Sequence, residues 1–449
     1  WGFSEYGKLW TYQLQAFEFL KQDQLEKEKG LKLIADFSKY LYRHPSAFDP
    51  YTASLRVINW IKFFSFHQVT DTALYGSLLS QTKKLFHSTE WHLQNNHLLE
   101  NAFALLFAGI FFGNEKFYQQ GKRILEKEID KQILPDGAHF ELCPMYHMLM
   151  LNRVLESKEM LSLYKPDEKA LESKLSSVAS KMLGWMKEMQ FENGDMPVVN
   201  DSANGIAPSC DAICSYANRL GISSQKIELK ESGFRKHKTA TYECLIYLGG
   251  LEPLANAGHG HADSLSFILY GRNKPFIIDT GISTYENNFT RQYERSTLAH
   301  NTVTAGTMSQ SNLWGSFRVG KRVKMLGVNQ GAIYIESSIR FFDGSIKHKR
   351  RFEFFENSLI VRDSISGEIL EDTKSFLYVN KNAEIAQAKS KLNSDIASIE
   401  FTGDRKISID EAFASTEFNK PESCNRITIS FTTDLITTFT FHNSNNSGK

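Results

Sequence analysis

Residues 258–270 read Gly-His-Gly-His-Ala-Asp-Ser-Leu-Ser-Phe-Ile-Leu-Tyr, and this stretch joins a polar motif to a strand pattern. Its second half is alternating and then continuously apolar, which is typical of a buried β-strand. Its first half places His259 and His261 two residues apart, so a strand through them would present both imidazoles on one face. We therefore expect a β-domain that carries a histidine site here.

Two further residues extend this motif along the chain. Asp279 ends the apolar run 276–278, and His300 follows later, next to Asn301. Two imidazoles and a carboxylate, from His261, Asp279 and His300, are a ligand set that suits zinc. His259 would then face a substrate. The alternative is three unrelated polar residues in a β-domain, because these gaps match no compact zinc motif.

The rest of the second half favours a β fold. Short alternating or β-branched runs recur after residue 240, and turn residues such as those at 271–273 separate them. The runs are 265–270, 302–304, 332–335, 351–354, 359–361 and 427–431. They predict an antiparallel β-sandwich domain over residues 240–449.

The first half has apolar residues at helical spacing. The expected helices are 10–25, 54–66, 71–86, 98–112, 115–133, 146–163 and 168–189. Long helices with short connections predict stacked antiparallel hairpins over residues 1–235, either as an open array or as a closed toroid. The charged, poorly periodic stretch 222–239 is the expected linker.

Composition excludes several classes of protein. The 449 residues include 52 basic and 51 acidic side chains, which argues against a nucleic-acid or membrane-surface protein held by bulk charge. No apolar run approaches the roughly 18 residues that span a bilayer. Five scattered cysteines form neither a disulfide framework nor a thiolate zinc site. The chain begins at Trp1, so we expect that an upstream segment, such as a signal peptide, has been removed.

Polar segments also interrupt the helical half. In the first, Asn96 stands where a helix should begin, and His97, Glu100 and Asn101 share one helix face. Such a face usually opens into a cleft or holds a buried network, although a plain helix cap is the simpler role for Asn96.

Two other polar segments precede expected helices. Residues 136–147 combine a turn, a helix start after Pro144 and the adjacent Tyr146 and His147, which could equally be ordinary core residues. Arg56 and Asn59, with Trp60 beside them, could line a cleft together, although a solvated arginine on a helix face is the default.

Together these motifs resemble the heparinase II/III family of polysaccharide lyases. The resemblance rests on residues 259–263, 278–281 and 295–303 in the second half and on residues 54–56, 96–101 and 136–147 in the first. It covers roughly residues 1–325. It implies an incomplete α/α toroid followed by an antiparallel β-sandwich, and an enzyme that cleaves uronic-acid polysaccharides by β-elimination.

The resemblance also implies roles for individual residues. Asn96 and His259 would neutralise the uronate carboxylate, which stabilises the enolate that forms when the C5 proton leaves. Tyr146 would transfer protons; because an ordinary tyrosine has a pKa of about 10, it needs positive charge or donors nearby. His139, His147 and Arg295 are candidates to supply them. We expect these substrate-binding residues: Arg56, Asn59, Trp60, His97, Glu100, His147 and Arg295.

The family resemblance further implies one structural zinc ion per chain, held by His261, Asp279 and His300, with His300 alternatively part of the active site. It favours a glycosaminoglycan such as heparan sulfate, or a related acidic polysaccharide, and a periplasmic or secreted bacterial protein. Neither the polysaccharide nor the oligomeric state follows from the sequence. The basic runs 321–324 and 347–351 could supply local charge, but solvated strand faces are the commoner explanation.

Three other functions remain open on the sequence. A zinc hydrolase could use Asp263 as its base, and a glycoside hydrolase could use Glu100 and Glu141. A non-catalytic carbohydrate-binding protein could instead offer aromatic platforms at Trp60, Trp91 and Trp314. Only the lyase would create an unsaturated uronate that absorbs in the ultraviolet.

Overall fold

The computed structural model describes residues 1–367, 373–383, 385–388, 391–403 and 405–442. They form two compact units. The first, mainly helical, comprises residues 1–133, 150–180 and 215–223. The second comprises 134–149, 181–214 and the described residues from 224 onward, and it contains the β-sheets. The expected fold class, a helical toroid followed by an antiparallel sandwich, is confirmed.

The first half of the chain is helical. Its helices are α1 (Lys8–Ala16), α2 (Lys27–Arg43), α3 (Pro50–Phe66), α4 (Thr72–His87), α5 (Asn96–Phe111), α6 (Glu115–Gln132), α7 (Pro144–Tyr164), α8 (Lys169–Met189) and α9 (Cys210–Arg219). The expected helices from residue 54 to residue 189 agree with α3 to α8 within a few residues. The expected helix 10–25 was wrong, because Phe17 adopts a left-handed φ of 63° and ends α1. Neither α2 nor α9 was anticipated.

The central helices of the first unit are buried on nearly every side. Every residue of α5 from Leu98 to Gly109 is buried, and α3, α4 and α6 pack against this helix. Trp60 of α3 is fully buried, with its ring centroid 5.3 Å from that of Phe17. A helix that is buried all round belongs in a core, where its polar side chains need hydrogen-bond partners. None of the helices in the described ranges is long and apolar enough to cross a membrane.

The second unit contains two large sheets. Their strands are β1 (Phe234–Lys238), β2 (Tyr242–Tyr247), β3 (Phe267–Gly271), β4 (Lys274–Ile277), β5 (Val303–Ala305), β6 (Leu313–Trp314), β7 (Arg318–Val319), β8 (Lys324–Gln330), β9 (Tyr334–Arg340), β10 (Ile346–Phe355), β11 (Ser358–Gly367), β12 (Thr373–Val379), β13 (Ala386–Ala388), β14 (Lys391–Asn393), β15 (Ala397–Thr402), β16 (Arg405–Ser415), β17 (Pro421–Phe431) and β18 (Asp434–Phe441). A short helix, α10 (Phe289–Arg295), lies between β4 and β5 in the chain. The expected linker 222–239 was wrong for residues 234–238, which form β1.

The strand order of each sheet shows an antiparallel sandwich. The first sheet has the order β1-β2-β3-β4-β12-β17-β16, with β5 beside β12, and the second has the order β13-β14-β15-β18-β11-β10-β9-β8. Phe267 of β3 lies 5.6 Å from Phe352 of β10 and 5.9 Å from Phe439 of β18, between ring centroids. The inner faces therefore share one core.

The basic run 347–351 lies on β10, where alternate side chains face inward. Lys347 and Lys349 are exposed, whereas His348 and Arg350 are buried beside Asp363 of β11. Arg350 donates from Nε to Asp363 Oδ1 at 2.6 Å, and His348 Nε2 lies 2.7 Å from the same oxygen. This run is therefore partly a buried ion-pair network rather than a basic surface.

Candidate active site

The two histidines of the opening motif lie in the loop that precedes β3, not in the expected strand. Gly260 separates them at a point of close approach. A Cβ atom on this residue would lie 2.7 Å from Leu251 Cδ1 and 3.2 Å from the carbonyl oxygen of Glu252. A side chain at this position would displace Leu251, so the close packing favours glycine here.

A buried carboxylate joins His259 to His261. Asp201 Oδ2 lies 2.7 Å from His259 Nδ1, and Asp201 Oδ1 lies 2.9 Å from His261 Nε2. Arg291 donates to both oxygens, from NH1 at 2.5 Å and from NH2 at 2.7 Å. Four donors thus converge on one fully buried carboxylate, and this residue was not anticipated from the sequence.

These contacts define which ring nitrogens remain available. Burial would raise the pKa of Asp201, but Arg291 and the two histidines hold it well below its usual range. An ionised carboxylate only accepts hydrogen bonds, so His259 Nδ1 and His261 Nε2 both donate. Burial lowers the pKa of His261 to about 4, so this ring is neutral and its Nδ1 carries a lone pair. His259 presents Nε2, and its side chain remains 11% exposed.

Tyr146 packs against His259. It is the third residue of α7, which begins at Pro144 as the sequence predicted. The centroids of the Tyr146 and His259 rings are 4.3 Å apart. The Tyr146 hydroxyl lies 3.3 Å from that of Tyr285, which lies 3.4 Å from the backbone oxygen of Asp201. Burial raises the pKa of Tyr285 well above its ordinary value, so this hydroxyl stays protonated. Its one proton is donated to the Asp201 carbonyl here, and it would have to turn from that oxygen to donate to Tyr146.

Helix α10 holds the histidine loop in place. Arg291 and Arg295 are four residues apart and share one face of this helix. Arg295 is 1% exposed and donates from NH2 to the Gly260 carbonyl at 3.3 Å, while its own carbonyl accepts from Ala262 N at 3.0 Å. The Arg295 guanidinium is buried and positions the loop between the two histidines, and its expected contact with substrate stays a prediction.

His147 is buried, and both of its ring nitrogens have protein partners. Its Nδ1 accepts from the backbone N of His139 at 3.1 Å, and its Nε2 donates to the Met182 carbonyl at 3.0 Å. Burial lowers the pKa of His147 to about 3 and that of His139 to about 4. Both rings are neutral at physiological pH, so neither supplies the positive charge that was expected beside Tyr146.

The three expected metal ligands lie near one another without converging. His300 Nδ1 is 2.8 Å from Asp279 Oδ2, and the His261 and His300 ring centroids are 5.2 Å apart. Asp279 Oδ1 accepts from Gly281 N at 3.0 Å. His261 Nδ1, His300 Nε2 and Asp263 Oδ1 are buried without a hydrogen-bond partner. Among the residues that the structure describes, no three His, Cys, Asp or Glu side chains are arranged to hold a metal ion.

The polar stripe on α5 forms a network within the helical unit. Asn96, the first residue of α5, is fully buried. Asn101 donates to Glu90 Oε2 at 3.1 Å, and His97 Nδ1 lies 3.0 Å from Glu90 Oε1. The His97 ring stacks on Tyr51 with a centroid distance of 4.1 Å and keeps 26% of its side chain exposed. His97 therefore retains an accessible surface, as a substrate-binding residue requires.

Four other residues expected to bind substrate are buried among protein partners. Arg56 donates to Gln81 Oε1 at 2.6 Å, and Asn59 donates to the Ala16 carbonyl at 2.8 Å. Glu100 accepts from Arg153 Nε at 3.1 Å. Their exposed fractions do not exceed 2%, and Trp60 is fully buried in the helical core. Periodicity placed these side chains on a helix face but did not show that the face is covered.

Sequence reasoning missed three residues around His259 and named a fourth, Glu141, only for a different reaction. Asp201, Arg291 and Tyr285 are described above, and Glu141 Oε2 lies 3.9 Å from His259 Nε2. One local signal was available: Asp201 follows Asn200 directly after the apolar pair at 198–199, and a polar pair that ends an apolar run often marks a site. The i, i+4 spacing of the two arginines in α10 was another.

This arrangement defines a class of protein: those with a helical toroid and an antiparallel sandwich, in which a tyrosine packs against a histidine oriented by a carboxylate. The chain belongs to the heparinase II/III-like family. The model of the heparinase II/III N-terminus matches residues 3–220, and that of the heparinase II/III-like C-terminal region matches residues 222–445.

Similar proteins agree with this assignment. A heparin-sulfate lyase from Bacteroides stercoris is 24% identical over 67% of this chain and 48% of its own length. A heparin-sulfate lyase from Pedobacter heparinus is 24% identical over 70% of this chain and 51% of its own length. The chain thus spans about half the length of these two relatives. A crystal structure of heparinase III matches 98% of this chain and 77% of its own, with 16% identity and a TM-score of 0.75, which supports the fold.

Proposed function

We propose that this protein is a polysaccharide lyase that cleaves a uronic-acid polysaccharide, such as heparan sulfate or a related glycosaminoglycan, by β-elimination. The observation that carries the proposal is the packing of Tyr146 on His259, at 4.3 Å, beside a carboxylate that orients the histidine. Family membership and the names of two relatives, both heparin-sulfate lyases from bacteria, support it.

The proposed chemistry removes the C5 proton of a uronate and expels the oxygen on C4. As a phenolate, Tyr146 takes the C5 proton, and the resulting phenol returns this proton to the departing oxygen, while the C5–H and C4–O bonds break and a C4=C5 double bond forms. His259 Nδ1 is committed to Asp201, so Nε2 is the ring atom that faces the uronate carboxylate, and it would donate to that carboxylate when it carries a proton. A donor aimed at the charge that develops lowers the barrier. Asn96 is the second proposed donor to the uronate carboxylate, and this role rests on family resemblance alone.

Tyr285 extends the proposal beyond the residues expected from sequence. Its hydroxyl lies 3.3 Å from that of Tyr146, and a hydrogen bond donated by Tyr285 would stabilise a Tyr146 phenolate. The Arg291 guanidinium, 4.9 Å from the Tyr285 ring centroid, adds positive charge nearby. These groups replace His139, His147 and Arg295 as the proposed source of activation.

We also propose a structural zinc ion near His261 and His300. Each histidine gives one ring nitrogen to a carboxylate, Asp201 or Asp279, and keeps the other buried without a partner. Metal-bound histidines usually have this carboxylate contact on the opposite nitrogen. Asp279 remains the proposed third ligand, although both of its oxygens accept hydrogen bonds in the present arrangement. When bound, the ion would supply a brace for the loop that carries His259.

One assay tests the lyase proposal. Heparan sulfate, hyaluronan, chondroitin, alginate and bacterial capsular polysaccharides are incubated with the protein, and ultraviolet absorbance from an unsaturated uronate is followed. Tyr146→Phe should abolish the signal while the melting temperature is unchanged. No absorbance with any polymer, or full activity of Tyr146→Phe, would contradict the proposal.

A periplasmic or secreted location is part of the same proposal, because a long polysaccharide must be cut before a bacterium can import it. The relatives named above are bacterial. Fractionation of cells that express the natural gene, followed by detection of the protein in each fraction, tests this location. Recovery in the cytoplasmic fraction alone would contradict it.

A further inference from the structure

The helical unit contains a groove of about 810 Å³ lined by residues from the end of α2, the turn after it and α4. Lys39, Arg43 and Lys84 line this groove, and no carboxylate does, in a part of the chain that is described throughout. The formal net charge of the whole chain is only +1. The groove is therefore a local concentration of positive charge that the composition conceals.

The three cations are exposed and close together along two helices. Lys39 and Arg43 are four residues apart on α2, so they share one face of that helix. Lys84, on α4, donates to the Pro45 carbonyl at 2.8 Å and lies 4.4 Å from the ring centroid of Phe48. These contacts hold its ammonium group at the groove without neutralising its charge.

An unpaired buried donor lines the same groove. Gln81 is 4% exposed, and its Oε1 accepts from Arg56 Nε at 2.6 Å. Arginine has no acceptor atom, so this contact fixes the orientation of the amide. Gln81 Nε2 is left buried without a hydrogen-bond partner. A bound oxygen atom would satisfy this donor, and an unsatisfied buried donor is otherwise costly.

The combined chemistry suits an oxygen-rich anion that carries several charges. Three cations and an amide donor offer charge-assisted hydrogen bonds to sulfate or carboxylate oxygens. Tyr42, 88% exposed, adds an aromatic face, and the Ser77 hydroxyl is a further polar contact. A sugar segment uses an aromatic face and spaced anionic groups together, whereas a single inorganic ion needs neither.

We propose that this groove is a second saccharide-binding site, which takes an anionic segment of the polysaccharide through sulfate or carboxylate groups. It is distinct from the site of Tyr146 and His259, since its residues belong to the helical unit and theirs to the other. The inference rests on the proposed function, because that function supplies the acidic polymer. A long polymer offers many segments for one protein to bind.

Binding measured without turnover tests the groove. In the Tyr146→Phe chain, calorimetry with a heparan sulfate octasaccharide compares the triple variant Lys39→Ala/Arg43→Ala/Lys84→Ala with Lys29→Ala/Lys32→Ala/Lys116→Ala. The second variant removes equal charge from exposed helical positions outside the groove. We expect the groove variant to lose about tenfold or more in affinity and the control to stay within about twofold. A hyaluronan octasaccharide carries carboxylates but no sulfate groups, so the same comparison with it shows whether carboxylates alone are enough for binding in the groove.

Gln81→Glu is a second, milder test. Glutamate keeps an acceptor for Arg56 and replaces the donor with an anionic oxygen, so the melting temperature should not fall while affinity drops about tenfold. Equal affinities of the two triple variants, or an unchanged affinity of Gln81→Glu, would overturn the groove assignment. An equal loss for a single-stranded oligonucleotide of the same charge would overturn its assignment to a saccharide. If no polymer is cleaved but the groove variant still loses binding, only the lyase proposal fails.

Discussion

Asp201 and His259 form the contact on which the site depends: Asp201 Oδ2 lies 2.7 Å from His259 Nδ1. The same carboxylate reaches His261 and accepts a bidentate pair from Arg291. A charge buried in this way is stabilised only while its partners are present. Asp201 therefore links the proposed catalytic histidine to the proposed zinc ligand.

Asp201→Asn should lower both stability and turnover. The amide cannot accept from two histidines and an arginine at once, so Arg291 is left as a buried, poorly paired charge, which typically costs about 3–5 kcal/mol. We expect turnover to fall about 100-fold, because His259 loses its fixed orientation. Thermal melts and ultraviolet rate measurements well below the melting temperature check this.

The control for that variant is Asp363→Asn, which removes a comparable buried carboxylate from Arg350 and His348. It should cost similar stability but leave turnover of the folded protein close to wild type. Equal turnover for the two variants would show that Asp201 has no positioning role.

Tyr285→Phe should slow the reaction without abolishing it. Loss of its hydroxyl removes a donor 3.3 Å from the Tyr146 oxygen, so a Tyr146 phenolate becomes less stable and its pKa rises. We expect kcat to fall about tenfold, with the acidic limb of the pH–rate profile, where Tyr146 loses its proton, moved to higher pH. Tyr293→Phe, which removes a tyrosine hydroxyl that contacts Tyr378, is the control and should leave the profile in place.

Removal of zinc should destabilise the second unit. If His261 and His300 bind the ion, the purified protein contains about one zinc per chain, and chelation lowers its melting temperature. His300→Ala should lose the metal as measured by elemental analysis, whereas His348→Ala, another buried histidine, should retain it. Metal-free wild-type protein with an unaltered melting curve after zinc addition would contradict the proposal.

Stability should fall in mild acid because of His147. Burial lowers its pKa to about 3 in the folded protein, whereas the unfolded chain titrates near pH 6.5. Above pH 6.5 neither state binds the proton; below it, the unfolded state alone does, so the free energy of unfolding decreases by up to ~1.4 kcal/mol per pH unit. The loss continues until the pH reaches about 3, where the folded state also binds the proton.

His147→Gln removes this titration, since an amide can make the same two hydrogen bonds at every pH. Urea unfolding at several pH values between 5 and 8 should show a shallower decrease for the variant. His139 is present in both proteins and contributes equally. If the free energy of unfolding falls equally with pH in the two proteins, His147 does not contribute to the pH dependence, and the prediction is contradicted.

Local sequence was enough for much of the fold. The 3.6-residue period predicted six of the nine helices of the first half, and the two-residue period predicted six of the eighteen strands in the described residues. Pro144 marked the start of α7 as expected. Helix α2 was missed, although Gly30, Ile34 and Phe37 form its buried stripe, because charged residues surround that stripe. The helix expected over residues 10–25 failed at Phe17, where backbone conformation outweighed periodicity.

The sequence by itself identified the paired histidines, Tyr146 and the family, since these depend on residue types at short spacing. Only the tertiary structure decided which charges and aromatic rings are accessible. Asp201 and Arg291 are separated by 90 residues and meet only because the chain folds back. Burial likewise made Arg56 and Trp60 structural and left Lys39, Arg43 and Lys84 exposed. Solvation is a property of the packed surface, and no local pattern contains it.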